Sequence, residues 1–101
     1  MKDIGWSAGA VSFVDNESSS RYEVIADNSV VGFCEYVNLG AEVVLSHTVI
    51  DPSMRARGLA TRLVRFALDD LTVKGVQVVP DCWFVAEFID AHPEFHPLLA
   101  S

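Results

Sequence analysis

A chain of 101 residues, half of them apolar, suffices for one compact domain and not for two independent cores. Fourteen acidic residues against seven basic ones give a net charge of −7, which excludes a surface that attracts nucleic acid or anionic lipid over its whole extent. Only two cysteines, Cys34 and Cys82, with no CxxC spacing and no Cys/His cluster, exclude a structural zinc site and a disulfide-stapled module, and imply reduced thiols in a cytoplasmic setting.

Met1 to Val14 lacks the apolar segment and small-residue cleavage site of a signal peptide, and no run approaches the roughly 18 apolar residues of a membrane span. The polar run Asn16 to Ser20 (N-E-S-S-S) buries no area, so a weakly patterned leader, 1–20, is expected before a folded unit, 21–101. Tyr22, Val24 and Ala26 then alternate with Glu23, Ile25 and Asp27 as in a strand. Asp27-Asn28-Ser29 supplies a turn before a β-rich run, Val30 to Val37, and Asn38-Leu39-Gly40 a second turn before a third strand, Glu42 to Ile50. After Gly58 the period changes: Leu59, Leu63, Phe66, Ala67 and Leu71 recur at three and four residues, an amphipathic helix that stops near Gly75. A short apolar strand, Val76 to Val79, is closed by Pro80, and Cys82 to Ala91 returns to helical spacing, with Trp83, Phe84 and Phe88 as core residues. The order β-β-β-α-β-α predicts an α+β fold: an antiparallel meander followed by one βαβ crossover, in a mixed sheet.

Four of the seven positive residues, Arg55, Arg57, Arg62 and Arg65, fall at the junction of the third strand and the long helix. Gly58 stands where the loop enters that helix. The first N–H groups of a helix lack internal partners, so the junction suits a phosphate, and Gly58 and the small Ala60 let it approach the backbone. The alternative is solvated surface charge around a turn glycine. Neither G-x-x-x-x-G-K-S/T nor G-x-G-x-x-G is present, which excludes a P-loop nucleotidase and a dinucleotide fold.

Arg55-Ala56-Arg57-Gly58-Leu59-Ala60 resembles the Q/R-x-x-G-x-G/A acetyl-CoA motif of the GNAT N-acetyltransferase superfamily. The ordered blocks Ser46-His47-Thr48-Val49, R-A-R-G-L-A-T-R-L-V, V-V-P-D-C-W-F-V and His92-Pro93-Glu94-Phe95 resemble its compact single-domain members, over about Arg21 to Leu98. The resemblance implies that Arg55, Ala56, Arg57, Gly58, Leu59 and Ala60 hold the pyrophosphate of acetyl-CoA. It also implies that Val49 and Ile50 run beside the pantetheine between two splayed parallel strands, and that His47-Thr48 and Cys82 lie near the thioester. Trp83 after the cysteine departs from the compact pattern, where a small residue or Pro is common.

Acetyl transfer to an amine needs a neutral amine, a stabilised oxyanion and a proton for the departing thiolate. His47 is the natural base or acid, because an unperturbed imidazole titrates at about 6.5. Strict alternation places it with Val43, Leu45 and Val49, so a core histidine is the competing reading. Cys82 opens a helix, where the dipole favours a thiolate, while Asp81 opposes one; direct transfer is favoured over an acetyl-Cys82 intermediate. Cys34 sits inside a strand as packing, and His92 and His96 serve surface or packing roles. Glu35 and Glu42 are candidates to orient a cationic acceptor.

The sequence therefore predicts a GNAT-like N-acetyltransferase with acetyl-CoA as cosubstrate and no metal. Its acceptor is an amine, small or on a protein, with no nucleic-acid or membrane partner, and the chain is a monomer or weak homodimer. The rival is a non-enzymatic acyl-CoA-binding or protein-interaction module that keeps the cofactor loop. An RNA-binding α+β domain is disfavoured by charge and by the lack of an aromatic strand pair.

Overall fold

Every strand and helix expected from the sequence forms in the computed structural model, which describes residues 11–100, and one further strand precedes them. The elements are β1 (Val11–Asn16), β2 (Arg21–Ala26), β3 (Ser29–Asn38), β4 (Glu42–Ile50), α1 (Leu59–Lys74), β5 (Gln77–Pro80) and α2 (Trp83–Ala91). Short 3-10 helices cover Glu17–Ser19, Pro52–Arg57 and Pro93–Leu98. The five strands lie in the order β1-β2-β3-β4-β5, antiparallel up to β4 and parallel between β4 and β5. This is the α+β meander followed by a βαβ unit, with a strand added at its front.

That strand changes the reading of residues 1–20 as a leader. Val11–Asn16 pairs along its whole length with β2, from Val11↔Ala26 to Asn16↔Arg21. The polar run after it is a link within the sheet: Glu17–Ser19 forms a 3-10 turn whose Ser19 N–H donates to the Asn16 side chain. Residues 1–10 lie outside the described residues. In the next hairpin Asp27 and Asn28 both adopt positive φ, +51° and +65°, the combination that matches the strands' right-handed twist in a two-residue turn.

One core forms between the sheet and both helices. Leu63, Val64, Ala67, Leu68 and Leu71 of α1 and Val85, Phe88 and Ile89 of α2 share a buried cluster with Tyr22, Val24, Cys34, Val43, Leu45 and Val78. Burying such an aliphatic side chain fully is worth about 2 kcal/mol. Helix α1 ends at Gly75, in the left-handed conformation at φ +72°, where the Gly75 N–H donates to the carbonyls of Leu71 and Thr72. At this end Lys74 Nζ bridges Asp15 (2.9 Å) and Asp70 (2.7 Å), while Tyr36 and Tyr22 donate to the same two carboxylates, 2.7 Å each. The opposite sheet face carries Val14, Glu23, Phe33, Glu35 and Val37, and no described helix covers it.

Two irregularities shape the middle of the sheet. The β3–β4 register jumps from Glu35↔His47 to Tyr36↔Leu45, so Ser46 is an extra residue in β4. Beyond that point, β4 and β5 part. Pro80, opposite Leu45, has no N–H to continue the ladder, and the Leu45 carbonyl accepts both the Asp81 (3.1 Å) and Cys82 (3.0 Å) N–H groups as the chain turns into α2.

Candidate active site

The parting of β4 from β5 leaves a cleft of about 670 Å³ lined by Ser46, His47, Thr48, Val49, Ile50, Arg55, Ala60, Asp81, Cys82, Trp83 and Phe84. One wall is the β4 segment Ser46–Ile50, which has no strand partner on its β5 side among the described residues. The opposite wall is the start of α2, and the far end is closed by the turn into α1.

That turn is more ordered than a loop. Asp51 caps the 3-10 helix Pro52–Arg57 through hydrogen bonds from the Ser53 N–H (2.9 Å) and hydroxyl (2.7 Å), which, against a slight effect of burial, hold its carboxyl below the usual range. Ala56 and Arg57 lie in this stretch. Gly58 then takes φ +68° and leads into α1 with no side-chain cap, and a Cβ built there meets nothing within 4 Å. The first backbone N–H groups of α1 have no partner within the helix, and Gly58 sets no side chain before them. Leu59 is buried beneath them, and Ala60 lines the cleft. Of the four clustered arginines only two stay at this turn. Arg55 donates from Nε to the Ile50 carbonyl at 3.3 Å and lines the cleft, and Arg57 is exposed beside it. Arg62 lies over the Phe13 ring at 5.3 Å, and Arg65 over Phe88 and Phe95 with a 3.6 Å ion pair to Glu94. These two contribute to packing, because helical periodicity turns them away from the turn once α1 is under way.

The Ser46 bulge decides where His47 points. Strict alternation would put it in the core beside Leu45, but the extra residue reverses the phase. Thr48 and Ile50 now face the helices, and His47 is exposed on the uncovered face opposite Glu35. His47 is thus no core histidine, and it lines the cleft. Glu42 lies at the other end of β4, paired with Gln77, away from the cleft.

Cys82 precedes α2 as its N-cap and is 8% exposed on the cleft wall. Its Sγ donates to Thr48 Oγ1 at 3.5 Å, and Thr48 Oγ1 donates to Cys34 Sγ at 3.5 Å. Burial, the largest single influence, raises the Cys82 thiol, but the Thr48 hydroxyl and the backbone N–H groups of Val85, Phe84 and Thr48 outweigh it and hold the thiol below its ordinary value. Burial dominates at fully enclosed Cys34 and pushes its thiol up to about 11. Among the described residues no group of three or more His, Cys, Asp or Glu side chains is placed to hold a metal ion, and no helix is long and apolar enough to cross a membrane.

Trp83 overturns its expected place in the core: it is 71% exposed and lines the cleft with Phe84. The signal was available, because Trp83 lies about 200° around the helix from Val85, off the stripe of Val85, Phe88 and Ile89. Ser46 and Asp81 were not singled out as site residues, since nothing local marks a bulge or the direction of a chain leaving a proline. His92 packs, stacking on Phe88 at 4.0 Å with Nδ1 2.7 Å from the Phe88 carbonyl.

The sequence profile described as GCN5-related N-acetyl-transferase matches residues 21–98. Protein NATD1 of Bos taurus is 30% identical over 59 residues, 57% of this chain, and the match spans about half (52%) of that relative's length. A solution structure of a GCN5-like protein from Staphylococcus aureus superposes with a TM-score of 0.69 over 92% of this chain and 91% of its own, at 10% identity, a likeness of fold alone. The profile runs through the forked strands, the glycine-capped helix and the start of α2, the segments that build the cleft, and so the chain belongs to the GCN5-related N-acetyltransferase family.

Proposed function

We propose that this chain binds acetyl-CoA in the β4–β5 fork and passes the acetyl group to an amine. The observation that carries the reading is the convergence, in one cleft, of an unpaired strand edge and a helix start left open by Gly58. The donor set fits the cofactor. A pyrophosphate suits unpartnered helix N–H groups with Arg55 and Arg57 at the same turn. The two amides of a pantetheine arm suit the backbone of Ser46–Ile50, whose β5 side has no strand partner among the described residues. Ala60 and Ile50 supply the apolar contacts along it.

When bound, acetyl-CoA supplies an acetyl group already activated as a thioester. His47, exposed at the mouth of the cleft, takes the proton from the attacking amine. Cys82 stands across the cleft as a thiol that yields its proton readily, suited to protonate the departing thiolate. Direct transfer follows from this division, with His47 and Cys82 in separate proton-handling roles. The acceptor is a cationic amine, small or on a protein, which the chain's net charge of −7 attracts.

Titration calorimetry with CoA, and release of free CoA over a panel of amines, test the two halves. Wild type binds CoA and turns over. Gly58→Asp, which sets a carboxylate before the helix start, abolishes binding. Equal affinity in the variant removes the cofactor assignment, and binding without turnover on any amine leaves a CoA-binding module.

A further inference from the structure

Cys34, Thr48 and Cys82 come from three different elements, β3, β4 and the start of α2, yet Thr48 Oγ1 stands 3.5 Å from both sulfurs. A threonine hydroxyl has one proton to give, so it can donate to only one sulfur at a time. As arranged, Cys82 S–H donates to Thr48 and Thr48 O–H donates to Cys34. Loss of the Cys82 proton makes that arrangement untenable, because a thiolate only accepts. The chain then has one way to be satisfied: Thr48 O–H turns to Cys82 S⁻, and Cys34 S–H turns to donate to Thr48 Oγ1.

We propose that Cys34, Thr48 and Cys82 form a reversible hydrogen-bond chain in which Thr48 is a positioning residue and buried Cys34 the permanent proton-bearing end, so that Cys82 alone ionises. No proton passes along the chain. The single proton lost from Cys82 leaves toward the cleft, to solvent or to a departing thiolate, while the hydroxyl and the Cys34 S–H rotate. Cys34 suits this end of the chain because it is fully enclosed, and enclosure keeps its own proton on. Its role therefore exceeds filling space in the sheet. The other titratable or charged groups lining the cleft are His47 on β4, Arg55 on the 3-10 turn and Asp81 before α2. Beside Cys34 the neighbouring charge is Glu35, the next residue of β3, which also favours a protonated Cys34. Use of the Cys82 proton in acetyl transfer rests on the function proposed above, but the chain itself does not, and it titrates without any cofactor.

The test is the pH profile of Cys82 alkylation by iodoacetamide in the cofactor-free protein, read by mass spectrometry of the Cys82 peptide. The midpoint is the readout, since a more basic thiolate is also a better nucleophile and partly masks the rate change at one pH. Thr48→Val, close in shape but without the hydroxyl, moves the midpoint up by about one pH unit, a tenfold change in ionisation. Thr48→Ser keeps the wild-type midpoint. Cys34→Ala moves it up by a smaller step, because Thr48 can still donate to the thiolate but loses the donor behind it. Thermal melting confirms that each variant is folded, and Cys34→Ala reads the chain if the valine variant is not. An unchanged midpoint in Thr48→Val, or in Cys34→Ala, overturns the chain. A shift in Thr48→Ser equal to that in Thr48→Val overturns it as well, by tracing the effect to packing. Failure of CoA to bind leaves this result standing and counts only against the proposed function.

Discussion

Gly58 and Gly75 flank the same helix and hold nearly the same left-handed backbone, φ +68° and +72°, each with open space where a Cβ would stand. A side chain in that region costs about 1 kcal/mol at either place. The two differ in what the open space faces. Gly58→Ala and Gly75→Ala should therefore lower the melting temperature alike, while only Gly58→Ala weakens CoA, by about tenfold, as the methyl group keeps a phosphate from the helix donors. Calorimetry and melting on the pair separate backbone strain from ligand access. The two thiols make a second contrast. Cys82 lies on the cleft wall and Cys34 is fully enclosed, so one equivalent of alkylating agent should label Cys82 first, and saturating CoA should slow that labelling. Cys34 labelled first, or labelling indifferent to CoA, would contradict the placement of the thioester end.

At the scale of elements, β1 is a part of the domain that its sequence conceals. Phe13 stacks on Phe66 of α1 at 5.6 Å and lies beneath the Arg62 guanidinium, so Phe13→Ala should cost about 2–3 kcal/mol in chemical denaturation. A cost below about 0.5 kcal/mol would return the strand to the status of a leader. Gly32 in β3 is a tighter constraint, since an added Cβ would collide with Ile50 Cδ1, Val24 Cγ1 and the Val49 carbonyl. Overpacking of this kind costs about 1–3 kcal/mol, and Gly32→Ala should lose stability accordingly. The strands from Arg21 to Ile50 were legible because β-branched residues alternate between clear turn signals, and α1 because its apolar stripe runs unbroken from Leu59 to Leu71. β1 was not, because its last two residues, Asp15 and Asn16, are polar and find their partners, Lys74 and Glu23, only after folding. The competing reading of His47 as a core histidine fails for a related reason. A bulge is set by the neighbouring strands, and a period-two pattern carries no mark of it. The turn into α1 was the most legible part of the cleft, because Gly58 separates a β-branched strand from an apolar helical stripe, but that Arg62 and Arg65 turn to aromatic rings depends on where β1 and the C-terminal segment lie.

For the whole molecule, the Tyr36–Asp15–Lys74–Asp70–Tyr22 network joins three strands to the end of α1 and should set the alkaline limit of the fold. Burial first, then hydrogen bonding to Asp70 and its charge, raises the Tyr22 phenol above its ordinary value, and the Asp70 and Asp15 carboxylates raise Lys74. Groups whose folded values lie above the unfolded ones, about 10 for Tyr and 10.4 for Lys, stabilise the protein fully below those values and progressively less above them. The melting temperature should hold from pH 7 to about 9.5 and fall beyond pH 10, with a shallower fall in Tyr22→Phe, which also costs about 1 kcal/mol at neutral pH. An alkaline limb equally steep in the variant would exclude Tyr22 as its source. The fork has a different kind of consequence. Because Pro80 has nothing to donate and the Leu45 carbonyl is already shared between two N–H groups, the strands cannot zip shut when the cleft is empty. The receptive shape is then the resting shape and not a minor population awaiting selection, so no fraction of the binding energy goes into opening it. Hydrogen exchange along β4 and β5 should accordingly show, on adding ligand, local protection only at the few amides that the ligand itself covers, beyond the uniform slowing that any ligand of the folded state brings.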